Sequence, residues 1–339
     1  MSCILMVIPI ISVLFLLVAE PACALELKIA SIAPEGSQWM QEMRKGASTI
    51  KERSNGRVIL KFYGGGVMGN EKSVLRKIRV GQLHGGVFTG GGLSEIDPNL
   101  QLYSLLFTFR SKDEVDYIRA RMDQTLLDEL ERAGYASFGF AGGGFAQLMG
   151  NLPVRSIEDL KGRKFWVPEG DAVIYAAVES LGLSPVTLPI TDVMTGLQTG
   201  LVDIIGSSAI GAIAFQWHAR LKFITSTPLA YLYATLVVDR QAFSRLTAED
   251  QAMVREVMGG VYQNFDRQNT SDNQAALEAL KKQGLIVVDP LPGEEKRWRD
   301  LAAAVNERLG RDGTFSPVLY KRMQDDLQRF RSETAAKKN

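Results

Sequence analysis

Over residues 25–92 the chain alternates short apolar runs with helical patterns, and the runs end in glycine. LELKIAS at 25–31 alternates like a strand, and a helical pattern follows from Trp39 to Ser54. RVILKFY at 57–63 ends in Gly64-Gly65-Gly66, and a helix is expected from about Glu71 to Gly81. The next strand, His84 to Thr89, ends in Gly90-Gly91-Gly92. This order predicts a parallel, wound α/β lobe. In such sheets ligands sit beyond the carboxyl ends of the strands, where these glycines fall.

A long helix, Lys112 to Ala133, leads to a strand from Tyr135 to Ala141 and to Gly142-Gly143-Gly144-Phe145, read as a strand-end turn. After Asn151-Leu-Pro153 a second α/β unit begins. It holds a strand at Phe165–Val167, a helix from about Asp171 to Leu181 and a strand from Ser184 to Leu188. A helix from Thr191 to Thr199 follows, with Thr191 as N-cap and Gly200 closing it, before Leu201–Ile205. Ala234 to Asp239 reads as a strand crossing back to the first lobe. Helices dominate from Thr247 to Lys282, Leu285–Val288 adds a strand, and charged helices precede a frayed tail from Ser332. Two α/β lobes joined by crossing strands suggest a protein that shuts around a ligand by hinge closure.

The first residues, MSCILMVIPIISVLFLLVAEPACA, combine an apolar run from Ile4 to Ala19 with an Ala22-Cys23-Ala24 site. That is the pattern of an export signal cleaved after Ala24, and a retained membrane anchor is the competing reading. Both cysteines, Cys3 and Cys23, fall in this segment, so the mature chain is expected to have no disulfide. Removing Glu20 moves the formal net charge from +1 to +2. That near balance argues against nucleic acid as a partner.

Catalytic patterns are missing. The chain has 2 histidines, His84 and His218, with no H-E-x-x-H, no G-x-S-x-G and no phosphate-binding glycine motif. Neither a metal site nor a cofactor is expected, and the reading is a binding protein, not an enzyme.

Several stretches, in order and spacing, carry a resemblance. They are APEGSQW at 33–39, SNGRVILKFYGGGVMGNE at 54–71, VGQLHGGV at 80–87 and VRSIEDLKGRKFWVP at 154–168. LGLSPVTLPITDVMTGLQTGLVD at 181–203 and FSRLTAEDQAMV at 243–254 complete the set. The chain resembles the substrate-binding subunits of tripartite ATP-independent periplasmic (TRAP) transporters of the DctP family, from about Leu27 to Val288. The resemblance implies a bilobal periplasmic-binding-protein fold, two α/β lobes joined by crossing hinge strands with a ligand cleft between them. Expected boundaries are 1–24 for the signal peptide, 25–146 with about 235–282 for lobe I, and 147–234 with about 283–331 for lobe II and the C-terminal helices. Residues 332–339 form the tail. It also implies a periplasmic location and integral-membrane TRAP subunits as partners. Some members of this kind are associated with a further helical-repeat partner and with hydrophobic ligands.

The family's ligands are organic acids, held by an arginine two residues before the proline of Lys164-Phe-Trp-Val-Pro168. Here that position is Trp166. A second family arginine corresponds to Ala146, after Gly144-Phe145, and a family asparagine falls where Gly206-Ser207-Ser208 stands. An arginine–carboxylate pair supplies charge-assisted hydrogen bonds in a fixed geometry. Tryptophan supplies one N–H and an apolar face. Burying about 100–200 Å² of ligand hydrocarbon contributes roughly 2.5–5 kcal/mol, so an apolar or amphipathic, lipid-like ligand is expected. The candidate ligand-binding residues are Trp166, Phe145, Ala146, Ser207, Ser208, Phe88, Thr89 and Trp39, each weighed against plain packing or capping. Four alternatives stay open: an acid held by another arginine such as Arg110 or Arg220, a quaternary ammonium in an aromatic cage, a lipid shuttle or sensor without a TRAP membrane pair, and, least favoured, an exported enzyme on this fold.

Overall fold

The structure, a computed structural model, describes residues 24–338. Cys3, Cys23 and the expected leader before Ala24 lie outside the described residues. The strands are β1 (Leu25–Ala30), β2 (Val58–Tyr63), β3 (Gly85–Thr89), β4 (Tyr135–Ser137), β5 (Ala141–Gly150), β6 (Lys164–Pro168), β7 (Ser184–Leu188), β8 (Ile204–Ser207), β9 (Phe223–Thr225), β10 (Ala230–Asp239) and β11 (Ile286–Val288). The helices are α1 (Gln38–Arg53), α2 (Glu71–Arg79), α3 (Gly90–Leu93), α4 (Lys112–Arg132), α5 (Ala172–Ser180) and α6 (Val193–Thr199). After them come α7 (Ala209–Ala214), α8 (Arg240–Ser244), α9 (Ala248–Lys282), α10 (Glu294–Arg311) and α11 (Pro317–Lys338).

Two parallel groups of strands, β2-β1-β3 and β8-β6-β7, are joined through β10 and β5. Residues Ala141–Ala146 of β5 pair antiparallel with β10, while Gln147–Gly150 pair with β8. On β10, Ala230–Ala234 face β5, and Ala234–Val238 face β3. Each of these two strands therefore serves both halves, which makes them the hinge of an α/β bilobal fold.

The glycines at 142–144 lie inside β5, not in a turn after it. Leu232 sits opposite Gly144 and Tyr233 opposite Gly142, so Gly143 is the extra residue of a β-bulge. The side chains of Tyr231 and Asn273 press on Gly142 and Gly144, where a Cβ has no room. Packing from the neighbouring strand and helix thus explains a run that reads as a turn.

Local signals set most helix starts. Ser37, Asn70, Ser111 and Thr247 each accept a backbone N–H from the first turn of their helices. Thr191 does not act as the cap: residues 190–192 form a 3-10 turn and α6 begins after Asp192, ending at left-handed Gly200 with φ 70°. One helix of 35 residues, α9, fills the region from Ala248 to Lys282. At 1.5 Å per residue it runs about 50 Å, packing on α1, β5 and α7. Residues 332–338, expected as a frayed tail, continue α11.

Arg119 on α4 ties the hinge to its supports. It is 8% exposed and donates to Asp123 at 2.9 Å, Asp266 at 2.8 Å and the Phe140 carbonyl at 2.8 Å. Asp266, from α9, also accepts the Gly142 N–H at 2.8 Å.

Candidate functional site

The carboxyl ends of β3, β6 and β8 converge on a cavity of ≈ 190 Å³ between the two halves. Ile32, Asn70, Glu71, Lys72 and Thr89 line it from one half. Phe165, Trp166, Glu169, Asp171, Ser207, Phe215 and Trp217 line it from the other, with Ala146, Ala230 and Tyr233 from the hinge strands. Hydrogen bonds span the mouth: Asn70 Nδ2 donates to Glu169, Gln101 Nε2 to Asp171 Oδ1 at 2.7 Å, and Ser94 Oγ to the Gly170 carbonyl at 3.2 Å. The halves are closed on each other.

Trp166 answers to both of the roles weighed for it. Its ring is 4% exposed, packs with Val193, Leu197 and Val202, and meets Trp217 edge to face with centroids 5.4 Å apart. Its one donor, Nε1, is spent on the Leu188 carbonyl at 3.0 Å. What Trp166 offers the cavity is hydrocarbon. Phe215 stacks on Trp217 at 5.0 Å and extends this wall.

The other candidates divide by strand alternation and capping. Ala146 and Thr89 line the cavity, so their neighbours Phe145 and Phe88 point away. Phe88 is fully buried in the core, and Phe145 packs edge to face on Tyr231 at 5.7 Å. Ser207 lines the cavity, whereas Ser208 caps α7 by accepting the Gly211 N–H at 3.2 Å. Trp39 is not on the wall; its ring stacks on Phe265 of α9 at 4.1 Å. Phe88, Phe145, Ser208 and Trp39 therefore do not line the cavity, and packing or capping accounts for each. Neither Arg110 nor Arg220 lines it, and no other arginine does among the described residues.

Sequence reasoning missed the polar wall. Glu71 accepts the Thr89 N–H at 2.6 Å and the Thr89 hydroxyl at 3.1 Å. Asp171 is 7% exposed, and its Oδ1 takes both the Ile174 N–H, as N-cap of α5, and Gln101. The signal was the glycine run at 90–92. A Cβ on Gly90 would lie 2.9 Å from Tyr233, one on Gly91 2.9 Å from Asp171 Oδ2, and one on Gly92 2.5 Å from the Glu71 carboxyl. Each glycine makes room for one side chain of the cavity wall.

Burial pushes the Glu71 carboxyl up to about 7 and the Asp171 carboxyl up to about 6. Burial pushes Glu129 up to about 7 as well, with Asp97 beside it adding to the shift. These groups hold protons in the fold that the unfolded chain has already released, so their stabilisation is lost as pH rises through about 6–7. His84, pushed down by burial, acts in the opposite sense below its ordinary 6.5. Thermal melts between pH 8 and pH 6.5 are therefore expected to show Tm rising as pH falls. Glu71→Gln should flatten that slope, and an unchanged slope would remove Glu71 as its source.

The sequence model of the bacterial extracellular solute-binding proteins of family 7, DctP, matches residues 29–311. The chain belongs to this family. It is thus a TRAP-type periplasmic solute-binding protein and not an enzyme. The C4-dicarboxylate-binding periplasmic protein DctP of Rhodobacter capsulatus is 22% identical over 275 residues, 78% of this chain and 81% of that protein. A TRAP periplasmic solute-binding protein of Sulfurospirillum deleyianum, solved with succinate, superposes with TM-score 0.81 at 19% identity, covering 89% of this chain and 99% of that one. Another, from Pseudomonas putida with D-glucuronate, gives TM-score 0.81 at 24% identity over 88% of this chain and 97% of that one. These relatives are solute-binding proteins whose ligands are acids, whereas the cavity of this DctP-family chain is walled by tryptophan and carboxylates.

Proposed function

We propose that this TRAP-type subunit captures a small, apolar-bodied ligand by closure of its halves and delivers it to integral-membrane TRAP subunits. The observation that carries the reading is the composition of the cavity wall. Aromatic rings fill one side, the Trp166 donor is already spent, and no arginine lines the cavity among the described residues. A simple acid placed there has no bidentate partner and meets buried carboxylates, at a cost of several kcal/mol. The size favours a small molecule over a two-chain lipid, since an apolar cavity of about 150 Å³ accommodates benzene. We assign lobe I to 25–146 with about 235–282 and lobe II to 147–234 with about 283–331. We further place the mature protein in the periplasm after cleavage behind Ala24.

The direct test is to purify the mature protein without denaturant, extract it and identify what is released by mass spectrometry. A small non-acidic compound near one per protein is the expected result; a small organic acid would overturn the reading. Closure is tested separately. A hydrogen bond to a charged group contributes roughly 1.5–3 kcal/mol, so Asn70→Ala is expected to weaken ligand binding about tenfold or more. Small-angle scattering of that variant should show a more open molecule, and unchanged scattering and affinity would mean that the Asn70–Glu169 bond does not hold the halves together.

A further inference from the structure

The polar end of the cavity is unusual in sign. Glu71, Glu169 and Asp171 all line it, and Lys72 is the one cation on its wall among the described residues. Lys72 does not neutralise them: its side chain is 69% exposed and reaches toward Glu95 at 3.9 Å. Glu71 is met only by the neutral donors of Thr89, and Glu169 by the neutral amide of Asn70. Asp171 Oδ1 is satisfied twice, whereas Oδ2 has no side-chain donor among the described residues and abuts Gly91.

The bonds these groups make, to Thr89, to Asn70 and as the cap of α5, need an acceptor but not a charge. Serine or asparagine caps a helix about as well as aspartate does, and neither leaves a charge to desolvate. A buried carboxylate is costly unless it takes up a proton or a cation joins it. Above the values to which burial pushes them, Glu71 and Asp171 both carry charge, and the chain brings no cation to them in this cavity. The carboxylates do not form a metal cluster either, for among the described residues no group of three or more His, Cys, Asp or Glu is placed to hold a metal ion. Negative charge and aromatic rings on the wall of one cavity suit a large, weakly hydrated cation, because ring faces attract ammonium groups within about 6 Å.

We propose that the ligand carries a protonated or quaternary ammonium end, seated among Glu71, Glu169 and Asp171, on a small apolar body held by Trp166, Phe215 and Trp217. This rests on the reading of the cavity as an apolar ligand cleft and adds the charge of the ligand to it.

Three probes of matched size separate the two claims: benzylamine, benzyl alcohol and benzoate, titrated calorimetrically into the mature protein at pH 7.5. The expected result is benzylamine bound at least tenfold tighter than benzyl alcohol, with benzoate weakest. In Asp171→Asn and Glu71→Gln, both close to isosteric, the ratio of amine to alcohol affinity should fall toward one. Equal affinities for amine and alcohol in the wild-type protein would overturn the charge inference and leave the apolar cleft standing. Benzoate bound tightest, or no probe bound by a protein shown to be folded by circular dichroism, would overturn both. A wild-type preference that persists undiminished in both variants would show that these carboxylates are not its source.

Discussion

Replacing Trp166 with alanine is expected to lower the unfolding free energy by about 3–5 kcal/mol, the range for truncating a large buried aromatic residue. The ring contacts Trp217 and the cluster of Val193, Leu197 and Val202 on one side and forms cavity wall on the other. The truncation also leaves the Leu188 carbonyl without the indole donor. Urea unfolding measures the loss. A midpoint shift at unchanged m means that packing was lost without a change in how much surface unfolding exposes. A loss below about 1 kcal/mol would place the ring mainly in solvent, contrary to its 4% exposure.

The second large effect concerns the hinge. Arg119→Ala is expected to cost about 3 kcal/mol, the lower end of the range for breaking a buried ion pair. The lower end applies because the side chains of Asp123 and Asp266 keep 26% and 27% of their exposure. The variant removes the donor to Phe140 and the link from α4 to Asp266, which in turn holds Gly142 beside the bulge. Arg119→Lys retains the charge but not the planar fork, so it should recover only part of the loss. Full recovery by lysine would show that charge alone matters there. A negligible cost in alanine would mean that the hinge is supported by packing.

The sheet was legible because its strands announce themselves. Apolar runs at 25–31, 57–63, 84–89 and 184–188 became β1, β2, β3 and β7 with ends shifted by at most a residue or so. The run at 142–144 misled, since glycine marks a turn and a crowded strand alike, and only the neighbours Tyr231 and Asn273 decide between them. The site was half legible. The motif placed Trp166 and Ala146 on strands that reach the cleft, but Phe88 and Phe145 each sit one residue from a cavity-lining position, which sends them to the opposite face. Glu71 and Asp171 were missed because an acidic residue at a helix start looks like an ordinary solvated one. Their hydrogen-bond partners Thr89 and Gln101 come from other elements.

The paired indoles of Trp166 and Trp217 have an optical consequence. The chain holds 4 tryptophans, and this pair alone joins two of them at 5.4 Å on the cavity wall. Trp39 is stacked on Phe265, and Trp298 lies beside Phe107, away from that wall. Excited-state coupling between neighbouring rings depends steeply on their separation and angle. Near-ultraviolet circular dichroism of the unlabelled protein should therefore carry a signature of this pair, one that changes when a guest displaces either ring and stays silent to events elsewhere on the surface.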